Sequence, residues 1–470
     1  MIMGGQHLKV FRSTRRRFIQ RTVAGLAGMA LGSGSGLAFA QAPGSRPRNA
    51  AARVRILNPK NRVPVSLIID DSTCLVNMAH FGIPQFAEVF PDRYTQPWKT
   101  LPREIPDAFV RKFGEWCREN GIKGKYSIVP YPACVGWLDR DLPGWSKKEL
   151  EASLGLVRTL IAPDWDIHPE MVSHTWVINT RTGRPYEERS ERFMENWGWA
   201  AGRSVDELTD YLGYALRILK NAGFACEGIT TPGGFGNGAE PELSLAVLES
   251  CRSVFSAEIP HYFKHVFTDG TSVLPRVENA SGLEGPDPKC VVSIIGCTDD
   301  WFGNWDGLRA GSADPFITRD LQSGRLVDVI QRNEPAILVC HWPGIYFNGR
   351  ETGFTIFKEV VRRLHSRFNH LLWMKPSEIA RYWAARELTG VEETGKSVQF
   401  NAPFSAPYFT LEIKTAANVR PELVYNGKRT PLARIEDPLK IQSGTYAVQN
   451  QTAIVGFDLP KGKSTLLLET

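Results

Sequence analysis

The chain has 470 residues, of which 42% are apolar and 23% are charged, and its formal net charge is +6. This length suggests two or three folding units, and the composition is that of a globular protein with a sizeable core. The first 40 residues hold six of the 56 Lys and Arg and none of the 50 Asp and Glu, so residues 41–470 carry 50 of each. That balance gives no reason to expect binding to nucleic acid or to an anionic membrane surface.

Residues 1–40 are typical of a twin-arginine signal peptide. Arg15 and Arg16 precede a weakly hydrophobic stretch rich in Gly and Ala, which ends in Ala-Phe-Ala at residues 38–40. This pattern predicts export to the periplasm or the medium, with cleavage near Ala40. The alternative, a basic patch before a transmembrane helix, fits the Gly- and Ser-rich run less well. No later run reaches 18 apolar residues, so we expect no integral membrane segment in the mature chain. Residues 41–61 are predicted to be a flexible leader.

Residues 62–388 show short apolar runs that alternate with amphipathic segments. The predicted strands are 65–69, 126–129, 170–177, 228–230, 291–296 and 336–340. The predicted helices are 106–120, 146–161, 204–223, 241–251, 354–367 and 376–386. Two of these helices begin with capping boxes, at Ser146 and Ser204. Alternation of this kind predicts parallel strands with helical crossovers, either a doubly wound sheet or a (β/α) barrel. About seven units favour the barrel.

The pattern changes after residue 388. Residues 389–470 contain short alternating or apolar runs between turns rich in Gly, Pro and Asn, and no helical period. This is typical of a small all-β sandwich. Eight cysteines are scattered through the chain without a CxxC pair, which indicates neither a zinc ribbon nor a redox motif. Most lie in apolar runs and are predicted to be buried.

Polar side chains follow several of the predicted strands. Asp70 and Asp71 follow the first, His174 lies at the end of another, Asp300 follows 291–296, and His341 follows 336–340. In a parallel barrel the carboxyl ends of the strands build the active site. Two carboxylates beside two histidines predict a metal site with a general base and a general acid. On its own, the Asp-Asp pair could also be a surface turn.

The order and spacing of these residues resemble the polysaccharide deacetylase family, with its NodB homology domain, over about residues 62–385. The resemblance implies a NodB-like barrel. It implies that Asp70 is the catalytic base and His341 the general acid. It also implies that Asp71 and His174 bind a divalent metal, for which zinc is the first candidate. Asp300, with Trp301, matches the family's Asp-Trp motif and is a further catalytic candidate.

Two positions depart from the family pattern. The second metal-binding histidine of the family falls at Ile178, and an arginine of its Arg-x-Pro-Gly segment falls at Thr230. A catalytic zinc usually has three protein ligands, so another residue must supply the third. His80 is the chosen candidate because it follows Asp71 closely in sequence; Asn179 and His168 are the others.

Tryptophans near the same strand ends indicate a carbohydrate ligand, since aromatic faces can stack on sugar rings, and the resemblance implies that the Pro-Gly-Gly segment at 232–234 belongs to the same site. The predicted substrate-binding residues are Trp176, Pro232, Gly233, Gly234, Trp301 and Trp342. The alternative for the tryptophans is packing in the core.

The sequence therefore predicts an exported, metal-dependent carbohydrate N- or O-deacetylase. One alternative is a metal-independent glycoside hydrolase or polysaccharide lyase that uses Asp70 with Asp299 or Asp300 as a carboxylate pair. Another is a glycan-binding protein with a degenerate site. Metal content and turnover distinguish the three.

Overall fold

The computed structural model describes residues 44–47, 51–415 and 417–469. The predicted signal peptide, residues 1–40, lies outside the described residues. The described residues fall in one compact unit. Within them, no helix combines the length and the apolar character needed to cross a membrane.

The first part of the described chain alternates strands and helices. Its strands are β1 (Val54–Ile56), β2 (Val63–Asp70), β3 (Gly124–Ile128), β4 (Trp165–Pro169), β5 (Ile178–Asn179), β6 (Arg184–Pro185), β7 (Gly228–Thr230), β8 (His261–Val266), β9 (Arg276–Ser281), β10 (Lys289–Gly296), β11 (Ala336–His341) and β12 (Leu371–Trp373). Its helices are α1 (Met78–Val89), α2 (Asp107–Glu119), α3 (Lys147–Leu156), α4 (Val205–Asn221), α5 (Glu240–Phe255), α6 (Arg325–Gln331), α7 (Trp342–Tyr346), α8 (Thr352–Arg367) and α9 (Pro376–Leu388). A π-helical turn, Val157–Ile161, extends α3. Both predicted capping boxes are confirmed: Ser146 and Glu149 at α3, and Ser204 and Glu207 at α4, exchange their hydrogen bonds.

Parallel strands form two sheets. One has the order β11-β2-β3-β4, with β12 also on β2, and the other has β7-β8-β10, with antiparallel β9 at its edge. A parallel bridge between Glu170 and Thr230 links β4 to β7. The backbone N–H of Cys297, just after β10, donates to Ile337 of β11 at 2.8 Å. The predicted α/β class with parallel strands is confirmed, and the closure of these strands into one barrel stays a prediction.

The strand predicted at 170–177 is placed too late in the chain. The strand is Trp165–Pro169, and the segment after it bends, with Met171 and His174 at φ values of +54° and +64°. Such values are incompatible with an extended strand. Strand β8 was missed because its sequence, HYFKHV, places two histidines and a lysine within six residues.

The second part consists of two sheets that face each other. Their strands pair antiparallel, except that β18 runs parallel to β19. Its strands are β13 (Gly390–Thr394), β14 (Ser397–Ala402), β15 (Ala406–Lys414), β16 (Arg420–Tyr425), β17 (Lys428–Pro431), β18 (Ala433–Arg434), β19 (Thr445–Gln449), β20 (Thr452–Leu459) and β21 (Gly462–Glu469). The orders are β13-β14-β21-β16-β17 and β1-β15-β20-β19-β18. Phe400 of one sheet packs against Phe409 and Phe457 of the other, with ring centroids 6.3 and 5.5 Å apart. These contacts give the two sheets a common apolar core.

Part of the predicted leader forms regular secondary structure. Residues 54–56 form β1, which pairs antiparallel with residues 411–413 of β15 and so extends the second sheet. The same core cluster contains Trp383 of α9 and Phe400 of β14. The two parts therefore share packing, and the boundary at 388 between independent domains stays a prediction. The eight cysteines are all unpaired, and seven of them are buried.

Candidate active site and metal centre

The predicted strand-end residues meet at one edge of the parallel sheets. Asp70 ends β2 and His341 ends β11, and the two are directly paired in register. Glu170 follows the last residue of β4, and Asp300 lies four residues after β10. Because parallel strands end at the same edge, their carboxyl ends bring these side chains together.

Asp71, Glu170 and His174 form a buried three-residue group whose ligand atoms all lie within 4.8 Å of one another. Nε2 of His174 is 2.6 Å from Oδ1 of Asp71 and 3.3 Å from Oε1 of Glu170. The other oxygen of Glu170, Oε2, accepts a hydrogen bond from the backbone N–H of Asp71 at 2.7 Å. Glu170 thus fixes the position of Asp71 while it presents its second oxygen to the group.

The group fits a divalent metal. Oδ1 of Asp71 is buried and has no hydrogen-bond partner among the described residues. It lies close to Nε2 of His174, but not in hydrogen-bond geometry. Carboxylate oxygens and imidazole nitrogens are both zinc ligands, and a catalytic zinc usually takes three protein ligands. Asp71 and His174 also have left-handed φ values of +58° and +64°, and strained backbone of this kind is concentrated at functional sites.

The electrostatics of His174 follow from the same contacts. Burial alone lowers the pKa of this imidazole, but the carboxylates of Asp71 and Glu170 outweigh burial and raise its pKa well above 6.5. Without a cation, a proton on His174 offsets part of the negative charge of the group. A divalent cation would replace that proton, because a ligating imidazole must be neutral.

Glu195 holds the segment that carries His174. Its carboxylate accepts hydrogen bonds from the backbone N–H groups of Val172 and Ser173 at 3.1 Å and of His174 at 2.5 Å. The hydroxyl of Tyr211 donates to the same carboxylate. Burial raises the pKa of Glu195 to about 7, although these donors act in the opposite direction. Glu195 is therefore a positioning residue for the left-handed turn at His174.

Asp70 is paired with a buried lysine. Nζ of Lys125, a fully buried residue, lies 2.5 Å from Oδ1 of Asp70 and also donates to the carbonyl of Ile69 and to Oγ of Ser127. Burial raises the pKa of Asp70, and the positive charge of Lys125 opposes that rise. A carboxylate with a raised pKa is a better proton acceptor near neutral pH than an ordinary one.

His341 and Asp300 form a second pair. Nδ1 of His341 is 2.9 Å from Oδ2 of Asp300, and the backbone N–H of His341 donates to the same oxygen at 3.2 Å. Burial lowers the pKa of His341, but the hydrogen bond to Asp300 and the charges of Asp71, Asp300 and Asp70 together raise it to about 10. Since Nδ1 faces Asp300, Nε2 is the atom that can give a proton to another molecule.

The predicted third ligand, His80, does not join the metal group, and neither does Ile178, where the resemblance puts a second histidine. His80 lies in α1, where its Nδ1 is 2.9 Å from the carbonyl of Leu101 and its ring packs against Trp98. Ile178 is buried in the apolar core. The third member of the group is Glu170, which the sequence reasoning missed. Asp166, His168 and Glu170 alternate along one strand and its end, and that alternation is the signal that could have indicated it.

The predicted substrate-binding residues fall in different places. Trp342 is fully buried, with its ring packed against Phe109 and Phe113. Its prediction as a rim residue was wrong, because it begins α7 and turns into the core. Trp176 is also buried. Trp301 is half-buried and, with Asp300, lines a cavity of about 320 Å³.

Residues 232–234 form the turn after β7. Pro232 is buried and Gly233 is exposed, with a φ of +43°. The backbone N–H of Gly234 donates to the carbonyl of Asn196 at 2.7 Å. This turn therefore contacts the long insertion that carries Glu195, and a role in substrate binding stays a prediction.

Comparisons with known proteins do not assign the chain to a family. No family model and no curated protein matches the chain. Similar solved structures include a protein described as a probable polysaccharide deacetylase from Pseudomonas aeruginosa PAO1 (TM-score 0.39, 12% identity) and an allantoinase (TM-score 0.38, 12% identity), each over 69% of this chain and 91% of the other. The catalytic domain of a xylanase from Talaromyces cellulolyticus is similar over 88% of this chain and 99% of its own, at 8% identity and a TM-score of 0.26. Likenesses of this size do not establish a family, and the functional reasoning rests on the residues of this chain.

Proposed function

We propose that the chain is a metal-dependent hydrolase that removes an acyl group from the nitrogen or oxygen of a carbohydrate. The observation that carries this proposal is the buried group of Asp71, Glu170 and His174 beside Asp70 and His341. The carbohydrate and the acyl group come from the sequence resemblance. The half-buried Trp301 beside Asp300 supports them by offering an aromatic face near the proposed acid.

Each residue of the site has a role that its contacts support. Asp71, Glu170 and His174 would hold the divalent ion, which supplies a Lewis acid for the acyl carbonyl. Asp70 takes the proton of the attacking water, because burial raises the pKa of its carboxylate, while the positive charge of Lys125 opposes that rise. His341 gives a proton from Nε2 to the leaving amine or alkoxide.

Asp300 positions His341. Its carboxylate binds Nδ1 of the ring and also accepts from the backbone N–H of Phe302 at 3.0 Å. With both oxygens engaged, this carboxylate is a poor partner for Asp70 in a glycosidase-type pair. We therefore favour acyl hydrolysis over the metal-independent glycoside hydrolase or lyase.

The test is metal per chain after dialysis, beside acetate release from acetylated oligosaccharides. Glu170→Gln should lose the ion, with a fall in affinity of about 10-fold or more, since even outer partners of metal ligands are worth that much. Asp70→Asn should keep the ion, while turnover falls by about 10²- to 10⁴-fold. His80→Ala is the matched control and should keep both properties. Wild-type metal content and activity in Glu170→Gln would overturn the proposed centre, and glycan cleavage without metal would favour the glycosidase or lyase.

We also propose that the chain is exported by the twin-arginine pathway. The proposal rests on Arg15 and Arg16 and on the run that follows them in the sequence. Replacement of both arginines by lysine should leave the precursor in the cytoplasm, measured by fractionation of cells that express the full-length chain. Unchanged export of that variant would contradict the proposal.

A further inference from the structure

A second group of ligand-type side chains lies below the proposed active site on the same strand. Asp166, His168 and Glu170 alternate along β4 and its end, so their side chains point to the same face. With a rise of about 3.3 Å per residue, His168 lies about 7 Å and Asp166 about 13 Å from Glu170 along the strand. The second group is therefore nearer the amino-terminal end of the parallel strands, and it does not share a residue with the first.

His261, the first residue of β8, completes this second group. Its Nε2 is 2.9 Å from Nε2 of His168 and 3.6 Å from Oδ2 of Asp166. Both histidines are essentially inaccessible to solvent. Tetrahedral zinc with bonds of about 2.0–2.1 Å separates its ligand atoms by about 3.3 Å, and the two measured separations lie on either side of that distance.

The outer contacts of His168 and Asp166 are those expected of metal ligands. Nδ1 of His168 lies 3.3 Å from Oγ1 of Thr230, which leaves Nε2 to face His261. The carboxylate of Asp166 accepts hydrogen bonds from Ser377, from the backbone N–H at 2.6 Å and from Oγ at 2.7 Å. Ligating histidines and carboxylates are usually oriented by hydrogen bonds of this kind.

Without an ion, the group is incompletely satisfied. The two Nε2 atoms can share only one proton, and Nδ1 of His261 is buried with no hydrogen-bond partner among the described residues. The His261 ring thus makes its polar contacts only on the side of Asp166 and His168. Coordination of both Nε2 atoms to one ion would remove their competition for that single proton, because ligating imidazoles are neutral.

The surroundings leave space and access for an ion. A Cβ atom at Gly228 would come within 2.5 Å of Nε2 of His168 and 2.6 Å of Nε2 of His261, so glycine keeps this volume free of side chain. A cavity of about 260 Å³, lined by Asp166, Lys375 and Ser377 among others, opens on the Asp166 side. This cavity offers a route for the ion from the side of Asp166.

We propose that Asp166, His168 and His261 bind a divalent transition-metal ion, zinc by their donor set, at a site distinct from the proposed catalytic centre. Two imidazoles and one carboxylate are a common zinc ligand set. The ion ties β4 to β8 and, through Ser377, both strands to the start of α9. Its role is structural, and it does not depend on the proposed hydrolase activity.

The test uses the full-length chain with the first centre disabled. His174→Gln should still bind one zinc per chain in equilibrium dialysis and should show the visible absorption of tetrahedral cobalt when titrated with Co²⁺. Adding His261→Gln should abolish both signals, whereas adding His265→Gln, on the same strand but outside the group, should leave them unchanged. Because zinc and cobalt alone are the probes, failure of the proposed hydrolase function leaves this result unaffected.

Two further variants keep the test decisive if His261→Gln does not fold. Asp166→Asn keeps the shape of the side chain and should weaken zinc binding by about 10-fold or more. Gly228→Ala keeps all three ligands but fills the space between the histidines, and should also weaken binding. The proposal would be overturned if His174→Gln bound neither zinc nor cobalt. It would also be overturned if Asp166→Asn and Gly228→Ala left binding unchanged. In either case the group would be a hydrogen-bonded pair of histidines.

Discussion

The replacement Asp300→Asn isolates the electrostatic role of the His341 pair. Asparagine keeps the size of the side chain but removes its charge. The pKa of His341 is about 10 because three carboxylates, Asp300, Asp71 and Asp70, outweigh the effect of burial. Loss of one neighbouring charge typically moves a pKa by about 1–3 units. At pH 9, a fall of about two units would reduce the protonated fraction of His341 from about nine-tenths to about one-tenth.

The assay is the pH dependence of kcat and of kcat/KM for acetate release. His341 acts as an acid, so activity falls as pH rises through its pKa, and the alkaline limb should move to lower pH in Asp300→Asn. A bound dication repels the proton on His341 and lowers the absolute position of the limb in both proteins, but not the direction of the shift. Asp299→Asn, the exposed neighbouring carboxylate, is the matched control and should leave the limb in place. An unmoved alkaline limb in Asp300→Asn, with or without a uniform loss of rate, would refute the assignment of His341 as the acid held by Asp300.

Other predictions test the buried contacts around the site. The pKa of Glu195 is raised from 4.5 to about 7, so the ionised carboxylate is disfavoured in the folded state, and this group makes folding less favourable as pH rises from about 4.5 to about 7. Tyr211→Phe removes a donor to that carboxylate and should destabilise the fold by about 1–3 kcal/mol, more at pH 8 than at pH 5, as measured by urea unfolding. Lys125→Met leaves Asp70 buried without its partner and should cost about 3–5 kcal/mol; an unchanged unfolding midpoint would contradict the buried pair. Trp342→Ala should cost about 3–5 kcal/mol as a core truncation, and wild-type stability with a raised KM would instead favour the predicted rim position.

The sequence predicted the strand-end residues because a strand's end is a local feature. Asp70 and His341 each follow an uninterrupted apolar run, and parallel pairing then places them at one edge of the sheet. Residues in loops that hold these site residues in place follow no apolar run, so the sequence does not point to them. Glu195 lies 21 residues after His174 in an insertion without periodicity, and only the folded chain shows that it binds the backbone there. Lys125 lies just before the predicted strand 126–129, and only the folded chain shows that it is buried against Asp70.

Two errors have the same physical origin, the change of direction at the end of a strand. His80 was chosen because it lies close to Asp71 in sequence, but Asn77 caps α1 and directs the chain away, so that His80 binds the carbonyl of Leu101. Trp342 follows the rim residue His341 directly. It begins α7, and this change of direction turns its ring into the core.

The use of Glu170 in place of a second histidine changes the charge of the proposed centre. Asp71 and Glu170 contribute two negative charges, so a divalent ion bound with neutral His174 would form a centre with no net charge. A set of one carboxylate and two imidazoles, the pattern that the sequence resemblance implies, would leave a net charge of +1. Extra negative charge favours retention of the ion but weakens its pull on a substrate carbonyl. Asp70 lies beside this centre, and the charge of Glu170 is among the influences that raise its pKa. Glutamate in place of the second histidine therefore makes the Lewis acid weaker and the neighbouring base, Asp70, stronger. This arrangement suits a hydrolase that depends more on activation of water than on polarisation of its substrate.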